Sequence, residues 1–353
     1  MILFKPFQIL AFVLLLSACS TKYLKYDHED KLKTNDEFDA VVKITSPSER
    51  AANKKADEAN VVAAPKVIDG AKGSIKEPAV KTKISKKSSK AGKVAPEATG
   101  PARREPNIED EEGFAGRRPL KDPFRVGEKV VHKVRYFKIH AGTVTLKVDP
   151  FVEVNGRKSY SFVNEIKTAN VFDSFYSVDD RVLTLMDFDL LIPRVFTMHV
   201  KETGQLREAR SLFDFDKLVA TYWEKKVTEK NGAEEKKQQW EILPFSQNVF
   251  SALYYMRVFK WDIGKTYSFR VADDETNIIF KGTALRKETL DTDAGKFNAI
   301  VVKPEFTVKG VFKPVGDIFI WLSDDDRKLV LRIESKIKIG TLVSEIVSYT
   351  PGN

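Results

Sequence analysis

The sequence predicts a mainly β fold: a single antiparallel, strongly curved sheet, an open or half barrel, with one packed amphipathic helix, preceded by a disordered linker. Three observations predict it. From about Asp122 to Thr350 apolar and polar residues alternate; short turn signals interrupt the alternation; and one segment, Ser246 to Trp261, changes to helical spacing. Alternation at period two marks strands with one face buried, whereas a 3.6-residue stripe marks a helix.

The elements follow in chain order. The stretch FVLLLSACSTKY, Phe12 to Tyr23, holds Cys19, the one cysteine in 353 residues. A lone thiol has no intramolecular disulfide partner and no metal-ligand spacing. The apolar run Phe7 to Leu16 follows Lys5; it has the length of a signal-peptide core and is too short to span a bilayer as a helix. Ser17 and Ala18 are the small residues a signal peptidase needs, so residues 1–18 read as a signal peptide cut between Ala18 and Cys19. Leu16-Ser17-Ala18-Cys19 resembles the lipobox of bacterial lipoproteins. That resemblance implies that Cys19 is acylated, becomes the first mature residue and ties the chain to a membrane. Ser20 stands where Asp often retains lipoproteins in the inner membrane, so the outer membrane is expected, with the domain in the periplasm. The plainer alternative is a soluble secreted protein with an incidental Cys19.

Residues 19–120 are read as a lipidated cysteine followed by a Lys/Ala/Pro-rich linker. From Ser20 to Leu120 the aromatics are Tyr23, Tyr26, Phe38 and Phe114, while all four tryptophans come later. The run KTKISKKSSKAGK, Lys81 to Lys93, has six lysines and no acid. Low hydrophobicity with high charge cannot bury enough surface to offset backbone entropy, so disorder is expected. The lysine run is a candidate contact for an anionic cell-wall polymer. The formal net charge of +9 reflects this segment more than a nucleic-acid groove, and no nucleic-acid partner is expected of an exported protein.

Residues 121–353 carry the β pattern. GTVTLKVDP places Val144, Leu146 and Val148 on one face; KSYSFVNEI does so for Tyr160, Phe162 and Ile166; RVFTMHVKE for Phe196, Met198 and Val200. LVATYWEKK, KFNAIVVKP, GDIFIWLSD, KLVLRIESKIKIG and TLVSEIVSY continue it. Turns are expected at Ala141-Gly142, Asn155-Gly156, Thr203-Gly204, Asn231-Gly232, Ala294-Gly295 and Ile339-Gly340. In SQNVFSALYYMRVFKW the residues Val249, Phe250, Leu253, Tyr254, Arg257 and Val258 share a helical stripe, with Ser246 as candidate cap and Gly264 past the end.

Candidate chemistry is sparse. His28, His132, His140 and His199 show no paired metal spacing, and each reads as a satisfied or solvent-facing side chain. No nucleophile elbow, P-loop or dinucleotide fingerprint is present. Asp324, Asp325 and Asp326 suit a hard cation by ligand type, but they lie between two strand-like runs, where Asp serves as a turn residue. Arg327 and Lys328 follow at once and can neutralise them. Val178-Asp179-Asp180 reads as a turn in the same way. No catalytic residue, metal or cofactor is expected.

Several stretches carry a resemblance. DPFRVGEKVVHKVRYFKIHAG, SALYYMR, AGKFNAIVVKP and IFIWLSDDDRKLVLRIESKIKIGTL resemble the bacterial domain of unknown function 3108 family over about Asp122 to Ser348. The Gly127-Glu128 opening with Ala141-Gly142, the Ser251–Arg257 block and Trp321-Leu322-Ser323-Asp324 are its most specific pieces. Asn248 and Val330 stand where members often have an acid and a proline. The resemblance implies an exported β protein without an established reaction. By shape alone, a half barrel is analogous to lipoprotein-localisation carriers, which hold acyl chains. The expected function is therefore a non-catalytic envelope module whose Phe250, Leu253, Tyr254 and Trp321 face a hydrophobic ligand or partner segment. The alternatives are a scaffolding lipoprotein that reaches across the cell wall, or an enzyme acting on envelope glycan or lipid.

Overall fold

The period-two alternation is realised as a single antiparallel sheet. The computed structural model describes residues 35–49, 121–173, 175–308, 311–313, 317–337 and 340–353. The Ala18–Cys19 cleavage, the acylation of Cys19 and the Lys81–Lys93 run lie outside the described residues. The chain forms two compact units, residues 1–47 with 103–353, and residues 48–102. All elements named below belong to the first.

In chain order they are α1 (Asp36–Val41), β1 (Ile44–Thr45), β2 (Glu128–Tyr136), β3 (Ile139–Val154) and β4 (Arg157–Thr168). One helical turn, α2 (Asn170–Asp173), leads to β5 (Asp179–Asp187), β6 (Pro193–Glu202), β7 (Gln205–Asp214), β8 (Val219–Thr228) and β9 (Gly232–Glu241). Helix α3 (Val249–Tyr255), extended by a 3-10 turn (Met256–Val258), precedes β10 (Thr266–Asp273), β11 (Thr276–Thr292), β12 (Gly295–Val308) and β13 (Val311–Lys313). The last are β14 (Ile318–Ser323), β15 (Val330–Ile337) and β16 (Gly340–Pro351).

Spatially the strands run β10-β11-β12-β14-β15-β16-β2-β3-β4-β5-β6-β7-β8-β9, with β1 added to β3 and β13 to β12. The end strands β9 and β10 share no ladder among the described residues, so the sheet is not closed into a barrel. The gap is nonetheless narrow. Gln238 Nε2 donates to Glu275 Oε2 (2.6 Å) and Asn277 Nδ2 to Glu241 O (3.0 Å). Gln247 lies along β10, donating its N–H to Arg270 O and accepting from Ala272 N–H, each at 2.8 Å. Register shifts in β11 between Ala284 and Arg286, and in β3 between Asp149 and Val152, bend the long strands.

Helix α3 packs on one face of β4 to β6. Tyr254 stacks on Phe162 at 4.0 Å between centroids, and its hydroxyl lies 3.0 Å from Asn164 Oδ1. The helix is shorter than its stripe predicts. Asn248, not Ser246, is the cap: Asn248 Oδ1 accepts from Ser251 N–H (2.7 Å) and Ser251 Oγ accepts from Asn248 N–H (2.9 Å), a reciprocal pair that closes two orphan donors. Ser246 instead donates to Leu243 O at 2.8 Å. At the other end Phe259 is extended (φ −82°, ψ 148°), between the buried side chains of Arg257 and Trp261.

Other expectations need correction. Asn35–Thr45 is not linker. α1 is capped by Asn35 and buries Phe38 against Trp223, Leu185 and Val195, on the sheet face opposite α3. β1 pairs Ile44 with Val154 and Thr45 with Glu153. β4 is buried on both faces from Ser159 to Asn164, where one buried face was expected. Ala141-Gly142 is not a turn but lies within β3; the reversal falls at Phe137-Lys138, both at positive φ. Gly142 is required by contact, since a Cβ there would sit 2.4 Å from Lys167 O. Asp179 and Asp180 do not close a turn either; they open β5, and Asp180 is buried. No described helix is long and apolar enough to cross a membrane.

Candidate functional site

The curl of β6 to β9 beneath the start of α3 leaves a cavity of about 500 Å³, within the usual range for small-molecule sites. Its part away from the β6–β7 turn and beside α3 is apolar: Phe196, Met198, Phe213, Trp240, Val249 and Phe250 line it. Phe250 stacks on Phe196 at 5.8 Å. Alternation along the strands puts these side chains on the α3 side, while the neighbours Val195 and Leu212 pack with Phe38 on the other.

Toward the β6–β7 turn the lining becomes polar. Tyr176 donates to Glu202 Oε2 at 2.8 Å and Gln205 Nε2 to the same oxygen at 3.3 Å. The Tyr222 hydroxyl donates to Glu224 Oε2, and Arg207 Nη1 lies 3.5 Å from that oxygen. Lys226 and Lys236 and, from the β10–β11 turn, Asp273 and Asp274 also line the cavity. Burial, and then the charge of Asp274, pushes the Asp273 carboxyl up to about 7. Just below, burial and then Glu202 push Asp180 up to about 7. Trp240 Nε1, Arg207 Nε and Glu202 Oε1 are buried without hydrogen-bond partners among the described residues. A pocket apolar at one end with a few convergent polar groups at the other suits an amphiphile whose apolar body lies beside α3.

The four candidates named from sequence separate. Phe250 lines the cavity. Leu253 is half-buried against the main core, and Tyr254 is buried within it. Trp321 is a core residue and does not line the cavity: it is 5% exposed, its Nε1 donates to Glu288 Oε1 at 2.6 Å, and Arg332 covers its ring at 5.5 Å. Sequence reasoning missed Phe213, Trp240 and Arg207, whose strands β7 and β9 it did not single out; their charged and polar residues mask the alternation, and alternation gives a side chain's face but not what that face meets.

The stretches that carried the resemblance meet in a different place. Arg257 donates Nη1 to Glu128 Oε1 (2.7 Å), Nη2 to Glu128 Oε2 (3.0 Å) and to Pro123 O (2.9 Å), and Nε to Arg327 O (3.0 Å). Arg327 reaches the same carboxylate and the carbonyls of Pro123 (2.9 Å) and Pro351 (2.7 Å). This buried cluster joins the first and last strands of the domain to α3, and its partners are all protein groups. It is a structural clasp.

Asp324–Asp326 form the β14–β15 turn. Asp325 Oδ1 accepts from Ser323 Oγ (2.7 Å), Arg327 N–H (2.9 Å) and Lys328 N–H (3.0 Å), while Asp324 pairs with Lys287 (2.8 Å). Arg327 does not neutralise these acids, because Glu128 takes its guanidinium. His132 is buried; its Nε2 donates to Val330 O (2.9 Å), so Nδ1 accepts from Ser344 Oγ (3.2 Å). His140 Nε2 donates to Gly142 O at 3.0 Å, and His199 pairs with Glu208, which raises its pKa. Among the described residues no three His, Cys, Asp or Glu side chains are grouped to hold a metal ion.

No curated protein matches the chain. Among solved structures, a β-barrel-like DUF1849 protein from Brucella abortus is 10% identical, with a TM-score of 0.39, covering 64% of this chain and 98% of that one. A protein described as exported, with a YmcC-like fold, from Bacteroides fragilis is 10% identical (TM-score 0.29; 65% and 98% covered). A protein described as a lipoprotein from Parabacteroides distasonis is 10% identical (TM-score 0.27; 66% and 100% covered). The family described as Protein of unknown function (DUF3108) matches residues 131–347, more than half of the chain, and the chain belongs to it.

Proposed function

We propose that the chain is a non-catalytic envelope lipoprotein, anchored at the outer membrane through Cys19, whose domain holds a hydrophobic ligand in the cavity under α3. The observation that carries this reading is the graded lining, with aromatic and aliphatic side chains beside α3 and Arg207, Lys226 and Lys236 among carboxylates nearer the β6–β7 turn. The apolar body of an amphiphile gains by leaving water at about 25 cal/mol per Å², and its head group keeps polar partners.

Native mass spectrometry of the protein purified from bacterial envelope tests it. A bound species of lipid mass is expected in wild type and lost in Phe250→Arg, which puts a charge into the apolar part. A ligand-free wild type that also takes up no added fatty acid refutes the reading.

The alternative of a scaffold reaching across the cell wall is disfavoured by α1. With Asn35–Thr45 docked on the sheet, fifteen residues, Ser20 to Thr34, separate Cys19 from the domain. Such a segment extends to at most ~50 Å. The domain of an acylated chain therefore stays beside its membrane.

A further inference from the structure

Two neighbouring turns at one end of the sheet expose apolar side chains. Phe137 and Ile139, at the β2–β3 reversal, are 63% and 55% exposed; Val171 and Phe175, in and just after α2, are 72% and 69% exposed. Ile263 (60%) with Leu285 (39%) beside the loop before β10, Val41 (50%) with Ile44 (41%) on the α1–β1 arm, and Leu243 (39%) are exposed elsewhere, as scattered apolar residues ordinarily are. The two turns are joined. Ala169 N–H donates to Ala141 O at 3.0 Å, and Gly142 pairs with Thr168 across β3 and β4.

The cavity reaches the same end. The residues after Phe175 are tied to the β6–β7 turn: Thr203 N–H donates to Ser177 O (3.0 Å), and Tyr176 donates to Glu202 (2.8 Å). Tyr176, Glu202 and Gln205 all line the cavity. Lysines flank the apolar tips. Lys138 is exposed between Phe137 and Ile139. Lys167, at the end of β4, and Lys336, near the end of β15, each have side chains 57% exposed, with exposed partners Asp179 and Asp317.

We propose that this end of the sheet is a bilayer-docking rim. Phe137, Ile139, Val171 and Phe175 enter the interfacial layer of a membrane containing anionic lipid. Lys138, Lys167 and Lys336 meet its headgroup phosphates. The cavity's ligand then passes between bilayer and domain past Tyr176.

Three things favour a bilayer as the occupant. A stable protein interface takes about 20–30 residues a side, whereas the exposed apolar groups here are four side chains on two turns. Aromatic and aliphatic tips among lysines match the layered chemistry of a lipid surface, apolar inside and phosphate outside. The third rests on the anchored reading above: fifteen residues between Cys19 and Asn35 keep the domain within reach of the membrane.

The test uses the unacylated chain from Ser20 onward, which keeps every described element and has no cysteine. An environment-sensitive fluorophore is placed by Ile139→Cys at the rim, or by Asp216→Cys at the exposed β7–β8 turn of the opposite end. Vesicles of phosphatidylethanolamine with phosphatidylglycerol should raise and blue-shift the rim emission at least twofold and leave the Asp216→Cys label unchanged. In the otherwise unlabelled chain, Val171→Ser with Phe175→Ser should lower vesicle co-sedimentation at least fivefold. The thermal midpoint should hold, because both side chains are exposed. No response at either label, an equal response at both, or a rim whose four side chains instead mediate concentration-dependent self-association would overturn the proposal. Because the chain carries no acyl group and the readout lies outside the cavity, failure here leaves a ligand seen by native mass spectrometry untouched. A ligand-free cavity likewise leaves the vesicle response standing.

Discussion

Replacing Arg257 by Met tests whether the buried clasp holds the domain together. The substitution keeps an unbranched side chain at a site where the native one is 4% exposed, and removes the donors to both Glu128 oxygens, to Pro123 O and to Arg327 O. Glu128, 2% exposed, is left with Arg327 as its cation. Breaking a buried pair by removing one partner costs ~3–5 kcal/mol, because the remaining charge is uncompensated. The residual bond from Arg327 puts the expected value near ~3 kcal/mol. In a domain of this size 1 kcal/mol moves the midpoint by ~2–4 °C, so thermal unfolding followed by circular dichroism should show a fall of roughly 6–12 °C. Adding Glu128→Gln removes the stranded charge, and the double variant should be less destabilised than the sum of the singles by ~1 kcal/mol or more. A fall below about 2 °C, or an additive cycle, would refute the reasoning.

The other expectations are briefer. Burial holds the His132 pKa down at about 4. The unfolded chain therefore binds a proton that the folded one refuses: stability is complete above about pH 6.5 and declines by up to ~3 kcal/mol as pH falls toward 4. His132→Gln should flatten the midpoint's dependence between pH 7 and 4.5, and an unchanged slope counts against it. Phe38→Ala should release the arm, freeing Trp223 Nε1 from Glu37 Oε2, now 2.9 Å away. Acrylamide quenching of Trp223, taken as the difference from Trp223→Phe, should rise while the main transition stays near its place; unchanged quenching would mean the arm is held by other contacts. Asp325→Asn with Asp326→Asn should leave the midpoint equal in calcium and in chelator, and a calcium-dependent shift confined to wild type would reveal a metal site. Fatty-acid labelling should mark wild type and not Cys19→Ser, with equal labelling of both the adverse result.

How much was legible from sequence depends on the range of the interaction. Alternation in runs such as Val144-Leu146-Val148 marks strands because successive side chains point to opposite faces, and the antiparallel sheet follows from that local rule, as the existence of helix α3 follows from its 3.6-residue stripe. The β14–β15 turn was legible for the same reason, since Asp325 caps amides two and three residues away. The helix cap was half legible. Asn248 and Ser251 are three apart, but Ser246 is an equally good capping residue by type, and only the position of Gln247 on β10 decides between them.

The arm hid for a physical reason. Six helical residues are too few to stand alone in water, and composition averaged over a lysine-rich hundred residues dilutes one Phe38; tertiary contact with Trp223, 185 positions later, stabilises it. Arg257 and Glu128 lie 129 positions apart, and no periodicity links them. The sequence by itself determined which residues alternate, the reversals marked by Asn-Gly and Thr-Gly pairs and the one helix with a long apolar stripe, because those depend on neighbours within a few positions; the β2–β3 reversal and α1 were not among them. Only the tertiary structure decided which faces meet: Phe250 over Phe196 in a cavity, Tyr254 and Trp321 in the core, Asp180 buried, and the apolar tips of two separate turns at one end. Those outcomes depend on the bend and register of strands far apart in the chain, which local pattern does not encode.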